Sequence, residues 1–182
     1  MEGGIELITT NLVKILVGIL LFAFLGLIPF LFALDIENAQ AESVIRIDIP
    51  LILKRANVVF NIDHPAFAGD MPVGMKYMNL LSIRFKEMGT QGQIIGIFHG
   101  DAAYMTLNDR VYNVYRSVST GNPYKNLIVE LTKQGVQIED CAVSMKTHGW
   151  VNEDLLPGVK VNAGAVGRLI QLVQEGYVQI QP

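Results

Sequence analysis

The chain has 182 residues, enough for one domain to bury a core without disulfides or a structural metal and too few for a comfortable second domain. Its 14 basic and 17 acidic side chains include no Lys/Arg cluster or basic stripe, which argues against nucleic acid as a partner. A hydrophobic fraction of 51% looks membrane-like, yet much of the excess sits in one block.

That block runs from Ile15 to Leu34 without a charged residue. As a helix it would reach roughly 30 Å, the thickness of a bilayer's hydrocarbon core. The polar stretch that follows ends in Ala39-Gln40-Ala41, the small-residue pattern a signal peptidase reads. Against cleavage, the apolar run exceeds the roughly 7–15 residues usual in a signal peptide. The leader's only basic side chain is Lys14, set against Glu2 and Glu6. A cleaved signal peptide and a retained inner-membrane anchor both stay open, and either places the rest of the chain in a periplasmic or other extracytoplasmic compartment. The expected division is therefore 1–41 leader, 42–55 linker or extended segment, and 56–182 folded domain. Removing residues 1–41 takes away Lys14, Glu2, Glu6, Asp35 and Glu37, so basic and acidic residues balance in the exported part.

Beyond the leader, Val44 to Ile49 reads as a possible extended piece stopped by Pro50, and Asn57 to Ile62 as the first buried strand. Gly74 to Met88 follows as a helix, then Gln93 to Phe98 as a second strand between glycines. Asn108 to Val118 is helical in pattern, Gly121-Asn122-Pro123 interrupts, and Tyr124 to Gln134 resumes as a helix ending before Gly135. Val136 to Cys141 and Val159 to Asn162 make the third and fourth strands, Ala165 to Glu175 the last helix and Tyr177 to Ile180 the fifth strand. Strands separated by helices, with continuous apolar content, predict an α/β domain whose mainly parallel sheet of about five strands is covered on both faces.

In such sheets ligands sit outside the carboxyl ends of the strands, where strand order reverses. Polar or reactive groups stand just past the first three strands: Asp63 and His64, then His99 and Asp101, then Cys141, with His148 further on in a polar loop. Cys141 is the one candidate nucleophile and the chain's single cysteine. Alternation sets it with Gln137 and Glu139, opposite Val136 and Ile138, so it need not belong to the apolar core. Backbone N–H groups and a nearby imidazole would favour its thiolate, while Glu139 and Asp140 oppose it. An inert buried thiol is the alternative. The histidines, Cys141 and the aspartates supply metal-ligand chemistry but no tight ligand spacing, so no metal and no cofactor is expected. No G-x-G-x-x-G or P-loop pattern occurs. Tyr104, Tyr112, Tyr115 and Tyr124 read as core or interface material.

Three stretches carry a family resemblance. Asp154-Leu155-Leu156-Pro157-Gly158-Val159-Lys160-Val161 leads to a helix opened by Gly164-Ala165-Val166, and Gln174-Glu175-Gly176-Tyr177-Val178 enters the last strand. Gly135 to Cys141 adds a third strand ending in cysteine. In their order and spacing these segments resemble the DsrE/DsrF-like family, known for sulfur oxidation and tRNA-thiolation sulfur relays. The resemblance implies a three-layer α/β/α domain, here preceded by one N-terminal apolar helix, and assembly as a homo-oligomer, a trimer or hexamer. In members that relay sulfur, a cysteine near the position of Cys141 carries a persulfide and exchanges it with a sulfur-carrier protein. His148 and His99 are candidate assisting groups, and His64, Asp63 and Asp101 candidate ligand-binding groups. The export segment departs from the soluble relay proteins. The competing reading is a non-enzymatic oligomeric module that binds a small ligand or metal at the strand ends.

Overall fold

The computed structural model describes residues 45–182. The apolar run Ile15–Leu34 and the boundary at Ala41 lie outside them, and among the described residues no helix is long and apolar enough to cross a membrane. Residues 45–50 form no strand. Residues 51–182 make one compact unit.

Five strands build its sheet: β1 Val58–Ile62, β4 Ile94–Phe98, β5 Gln137–Cys141, β6 Lys160–Asn162 and β7 Val178–Ile180. A small antiparallel hairpin, β2 Phe67–Ala68 with β3 Met71–Pro72, follows β1. The five main strands run parallel in the order β6-β5-β4-β1-β7. The chain thus steps outward from β1 to β6 and then returns to β1's free side, and strand order reverses at β1. The helices are α1 Val73–Met88, α2 Asp109–Arg116, α3 Lys125–Lys133, α4 Ala142–His148 and α5 Ala165–Gln174. Short 3-10 helices span Gly100–Thr106 and Asn152–Asp154.

The predicted strands and long helices are all present, with ends moved by one or two residues. Two differences have local causes. The 3-10 helix after His99 carries no amphipathic period, because Ala102, Ala103, Tyr104, Met105 and Thr106 are all buried. His148 closes α4 rather than sitting in a polar loop: Gly149 takes the left-handed conformation at φ 71°, and its N–H reaches back to Lys146.

The two faces of the sheet are covered unequally. One packs Phe60, Phe98 and Ile138 under Met75 and Met78 of α1, with Ile128 and Leu131 of α3. Met145 of α4 and the buried rings of Tyr104 and Tyr112 extend this larger core. The other face carries Val59, Ile95 and Ile97 beneath Ala165, Leu169 and Leu172 of α5 alone. Each such apolar side chain contributes roughly 1.5–3 kcal/mol when fully buried, so a single ten-residue helix holds the thinner layer with a handful of contacts. Cys141 belongs to this smaller cluster and is 4% exposed, so of the two alternatives the sequence left open it is the buried placement that the fold adopts. Alternation sets its face correctly, but α5 covers that face.

Just before the sheet begins, the two entering segments run side by side. Ala56 donates its N–H to the Gln91 carbonyl, and Val58 donates to that of Gln93. A Cβ on Gly92 would lie 1.8 Å from the Ala56 carbonyl oxygen. By contrast, Gly135 needs only its positive φ of 88° and has open space around it. Gly92→Ala is therefore expected to destabilise the fold by more than about 2 kcal/mol, as overpacking against backbone does. Gly135→Ala should cost only about 1–2 kcal/mol for the left-handed conformation. Urea unfolding of both variants measures the difference, and equal midpoints would show that the Ala56 contact relaxes freely.

Candidate functional site

Extending the ladder by one residue brings the strand-end groups into a row. Ile62 pairs with Phe98, Phe98 with Asp140, and Cys141 with Asn162. His99 is still extended, at φ −159° and ψ 178°, and its N–H bonds to the Ile62 carbonyl. Asp63, His99, Cys141 and Asn162 therefore follow one another across β1, β4, β5 and β6, and alternation gives His99 and Cys141 the face covered by α5.

Over β1, β4 and β7 the polar groups connect directly. The His99 Nε2 lies 2.6 Å from Asn61 Oδ1, and Asn61 Nδ2 donates to Gln181 Oε1 at 2.5 Å. Gln181 Nε2 donates to Asp63 Oδ1 at 2.9 Å, and His64 Nδ1 meets the same oxygen at 2.5 Å. The hydrogen bond from His64 holds the Asp63 carboxyl below its ordinary range. Desolvation pushes His99 down against the opposing charge of Asp63, which favours a neutral ring. This network occupies the point where strand order reverses.

Around Cys141, the Ala165 N–H at the first turn of α5 points at Sγ, 3.3 Å away. Cys141 and His99 are neighbours in register without a hydrogen bond between them. Glu139, one step back on the same face and 3% exposed, is matched by Arg168, whose Nε and Nη2 donate to the carboxylate at 3.0–3.2 Å. Gln137 and Asn162 donate to it as well. That carboxylate holds the Arg168 guanidinium above its ordinary range. The donation by Asn162 Nδ2 fixes the amide's orientation and leaves Asn162 Oδ1 buried without a partner.

Asp140 faces the opposite, thicker layer and is fully buried. The Cys141 N–H donates to its Oδ1 at 2.6 Å, and Thr106 Oγ1 lies 2.5 Å from its Oδ2. Thr106 Oγ1 is also 3.0 Å from the Ala103 carbonyl. One hydroxyl proton cannot serve both acceptors, so the pair is complete when Asp140 carries its own proton. Burial accordingly pushes the Asp140 carboxyl up to about 7. The two acids expected to oppose a Cys141 thiolate are thus weakened differently, Glu139 by its ion pair with Arg168 and Asp140 by protonation as pH falls below about 7.

The remaining expected groups lie elsewhere. Asp101 is exposed in the first turn of the 3-10 helix after His99. His148 stacks on Trp150 at 4.4 Å between ring centroids and meets Tyr115 edge-on at 5.2 Å. Its helix packs Met145 into the larger core, across the sheet from Cys141. Among the described residues no three His, Cys, Asp or Glu side chains gather to hold a metal. A cavity of about 750 Å³ lies between α1 and α3 at the amino end of the sheet, lined by Lys86, Glu130, Lys133 and Gln134 among others. Beside His64 there is room for only about 10 Å³. Asn61, Gln181, Asn162, Thr106 and Arg168 did not stand out in the sequence. The one available signal was Asn61, a polar residue inside an otherwise apolar strand.

The profile of the DsrE/DsrF-like family matches residues 75–182. Comparison with curated proteins returned no significant match. Among solved structures, a protein of unknown function from Methanobacterium thermoautotrophicum aligns with a TM-score of 0.52 at 23% identity, over 70% of this chain and 99% of its own; it shares the fold. The YchN protein of E. coli aligns at 16% identity and a TM-score of 0.46, over 69% of this chain and 99% of its own.

The Asp140 carboxyl makes stability depend on pH in a defined sense. Its folded value near 7 exceeds the ordinary 3.8. Between these values the unfolded chain releases a proton that the folded chain keeps, so this contribution is full below about pH 4 and is lost as pH rises through about 7. Asp140→Asn, which reproduces the protonated side chain, should flatten the decline and raise stability above pH 7 relative to wild type. Urea midpoints from pH 4 to 8 test this, and parallel curves for the two proteins would mean that Asp140 ionises freely.

Proposed function

Because the chain belongs to the DsrE/DsrF-like family, a group associated with sulfur relay, we propose that its domain handles sulfane sulfur through Cys141. The observation that carries this reading is the Ala165 N–H directed at Sγ at the start of α5, because N–H donors at a helix N-terminus favour sulfur that bears negative charge. His99 in the neighbouring strand supplies an imidazole beside it in register. The pairing of Glu139 with Arg168 and the raised pKa of Asp140 reduce the local repulsion that would oppose an anion.

In the proposed step the Cys141 proton passes to a base and the thiolate attacks the terminal sulfane sulfur of a polysulfide. An S–S bond forms on Cys141 as the donor's S–S bond breaks, and the shortened donor leaves with the electron pair. No external oxidant or cofactor is required. Since Sγ is almost wholly covered, entry depends on opening of the first turn of α5. The same proposal has the leader export or tether the domain beyond the membrane, a homo-oligomer as the working form, and a sulfur-carrier protein as the acceptor.

A second reading, a binding module without covalent chemistry, has one observation in its favour: Asn162 Oδ1, next to Cys141 in register, is a buried acceptor awaiting a donor. Mass spectrometry of the native full-length chain after polysulfide exposure separates the two. Wild type should gain sulfur that a thiol reductant removes, and Cys141→Ser should gain none. Equal uptake by both proteins, or none by wild type, would transfer support to the binding module.

A further inference from the structure

The hydrogen bonds over β1, β4 and β7 have a direction. Asp63 is held as a carboxylate and accepts only, so Gln181 must present Nε2 to it. That turns Gln181 Oε1 toward Asn61 Nδ2, which in turn leaves Asn61 Oδ1 facing His99. An amide oxygen has no proton to give, so the ring must supply it. We infer that Asp63, acting through Gln181 and Asn61, holds His99 as the Nε2–H tautomer and leaves its Nδ1 as an unprotonated acceptor, on a residue that neighbours Cys141 in strand register. Asn61, Gln181 and Asp63 are thus positioning residues. His99 is the group they prepare, and Nδ1 is the atom left to take a proton.

The relay links residues 61, 63, 99 and 181, which meet only because β4 and β7 flank β1. Each amide has one orientation that satisfies the next member, and reversing any one would set two oxygens or two N–H groups face to face. The desolvation that keeps His99 neutral makes the tautomer a meaningful state of the ring. The role of Nδ1 as acceptor of the Cys141 proton rests on the sulfur reading proposed above, whereas the tautomer itself does not.

The chain has three histidines, so its side-chain spectrum is simple. Long-range proton–nitrogen correlation on the full-length chain labelled at histidine, with His99→Gln for assignment, reads the tautomer of His99 directly. Nε2–H should dominate in wild type. Asp63→Asn removes the acceptor-only anchor, and Gln181→Leu interrupts the relay at a residue exposed near the chain end; each should convert His99 to a mixture of tautomers. An Nδ1–H ring in wild type would overturn the inference, as would an Nε2–H ring undiminished in both variants. Failure of wild type to take up sulfur would remove the sulfur reading while leaving the tautomer measurement to stand or fall separately.

Discussion

The buried Glu139–Arg168 pair sets the geometry on which the rest of the strand-end site depends. Glu139 projects onto a face that one helix covers, and an ionised carboxylate there is costly unless it is paired and hydrogen-bonded. Arg168, three residues into α5 from Ala165, supplies the charge and a forked set of donors. With Arg168 fixed on β5, the start of α5 comes down over the end of the same strand, and the Ala165 N–H meets Cys141 Sγ. Ala165, Leu169 and Leu172 give the helix its apolar contact with the sheet. The ion pair fixes its position along the sheet, which apolar contact leaves loosely specified.

On the other face the same strand makes a second polar commitment. Asp140 reaches into the thicker layer and ties β5 to the 3-10 helix through Thr106. Its other oxygen receives the backbone N–H of Cys141, so the residue bearing the thiol is held by a neighbour pointing the opposite way. The three residues Glu139-Asp140-Cys141 thus anchor one strand end in both layers. The carboxylate on the thin face is met by a guanidinium, whereas burial without a cation pushes the carboxyl on the thick face up to about 7.

The sheet was legible in the sequence because Ile94 to Phe98 is a continuous apolar run and Val58 to Ile62 is interrupted only by Asn61, the mark of strands covered on both sides. Helix ends followed from local chemistry, as at Gly89, where the left-handed residue closes α1. The carboxyl-edge rule set Asp63, His64, His99, Asp101 and Cys141 on one edge of the sheet; strand register aligns Asp63, His99 and Cys141 there and leaves Asp101 exposed on the 3-10 helix. What local sequence could not supply was strand order, and the relay depends on it, since Gln181 meets Asn61 only when β7 returns to β1. Likewise the burial of Cys141 depends on which face α5 covers, a property of the crossover from β6 to β7. His148 shows the complementary limit: seven residues after the last one of β5, it is carried by α4 to the other layer and packs with Tyr115 and Trp150.

Burial and reactivity at Cys141 are compatible because of the way its cover is held. The residues above Sγ belong to the first turn of α5, whose N–H groups have no partners within the helix. Moving that turn therefore breaks the contact to sulfur and few helical bonds, while Leu169, Leu172 and the Glu139–Arg168 pair hold the remainder of α5 to the sheet. A local opening of this kind draws on the low-stability end of the structure and leaves the larger core intact. The directed amide relay sits outside that turn, on β1 and β7, so the His99 ring keeps its orientation whether the cover is open or closed. On the proposed opening, such a division would put the moving part of the site on one helix end and the chemically ordered part on the sheet edge, where strand pairing fixes it.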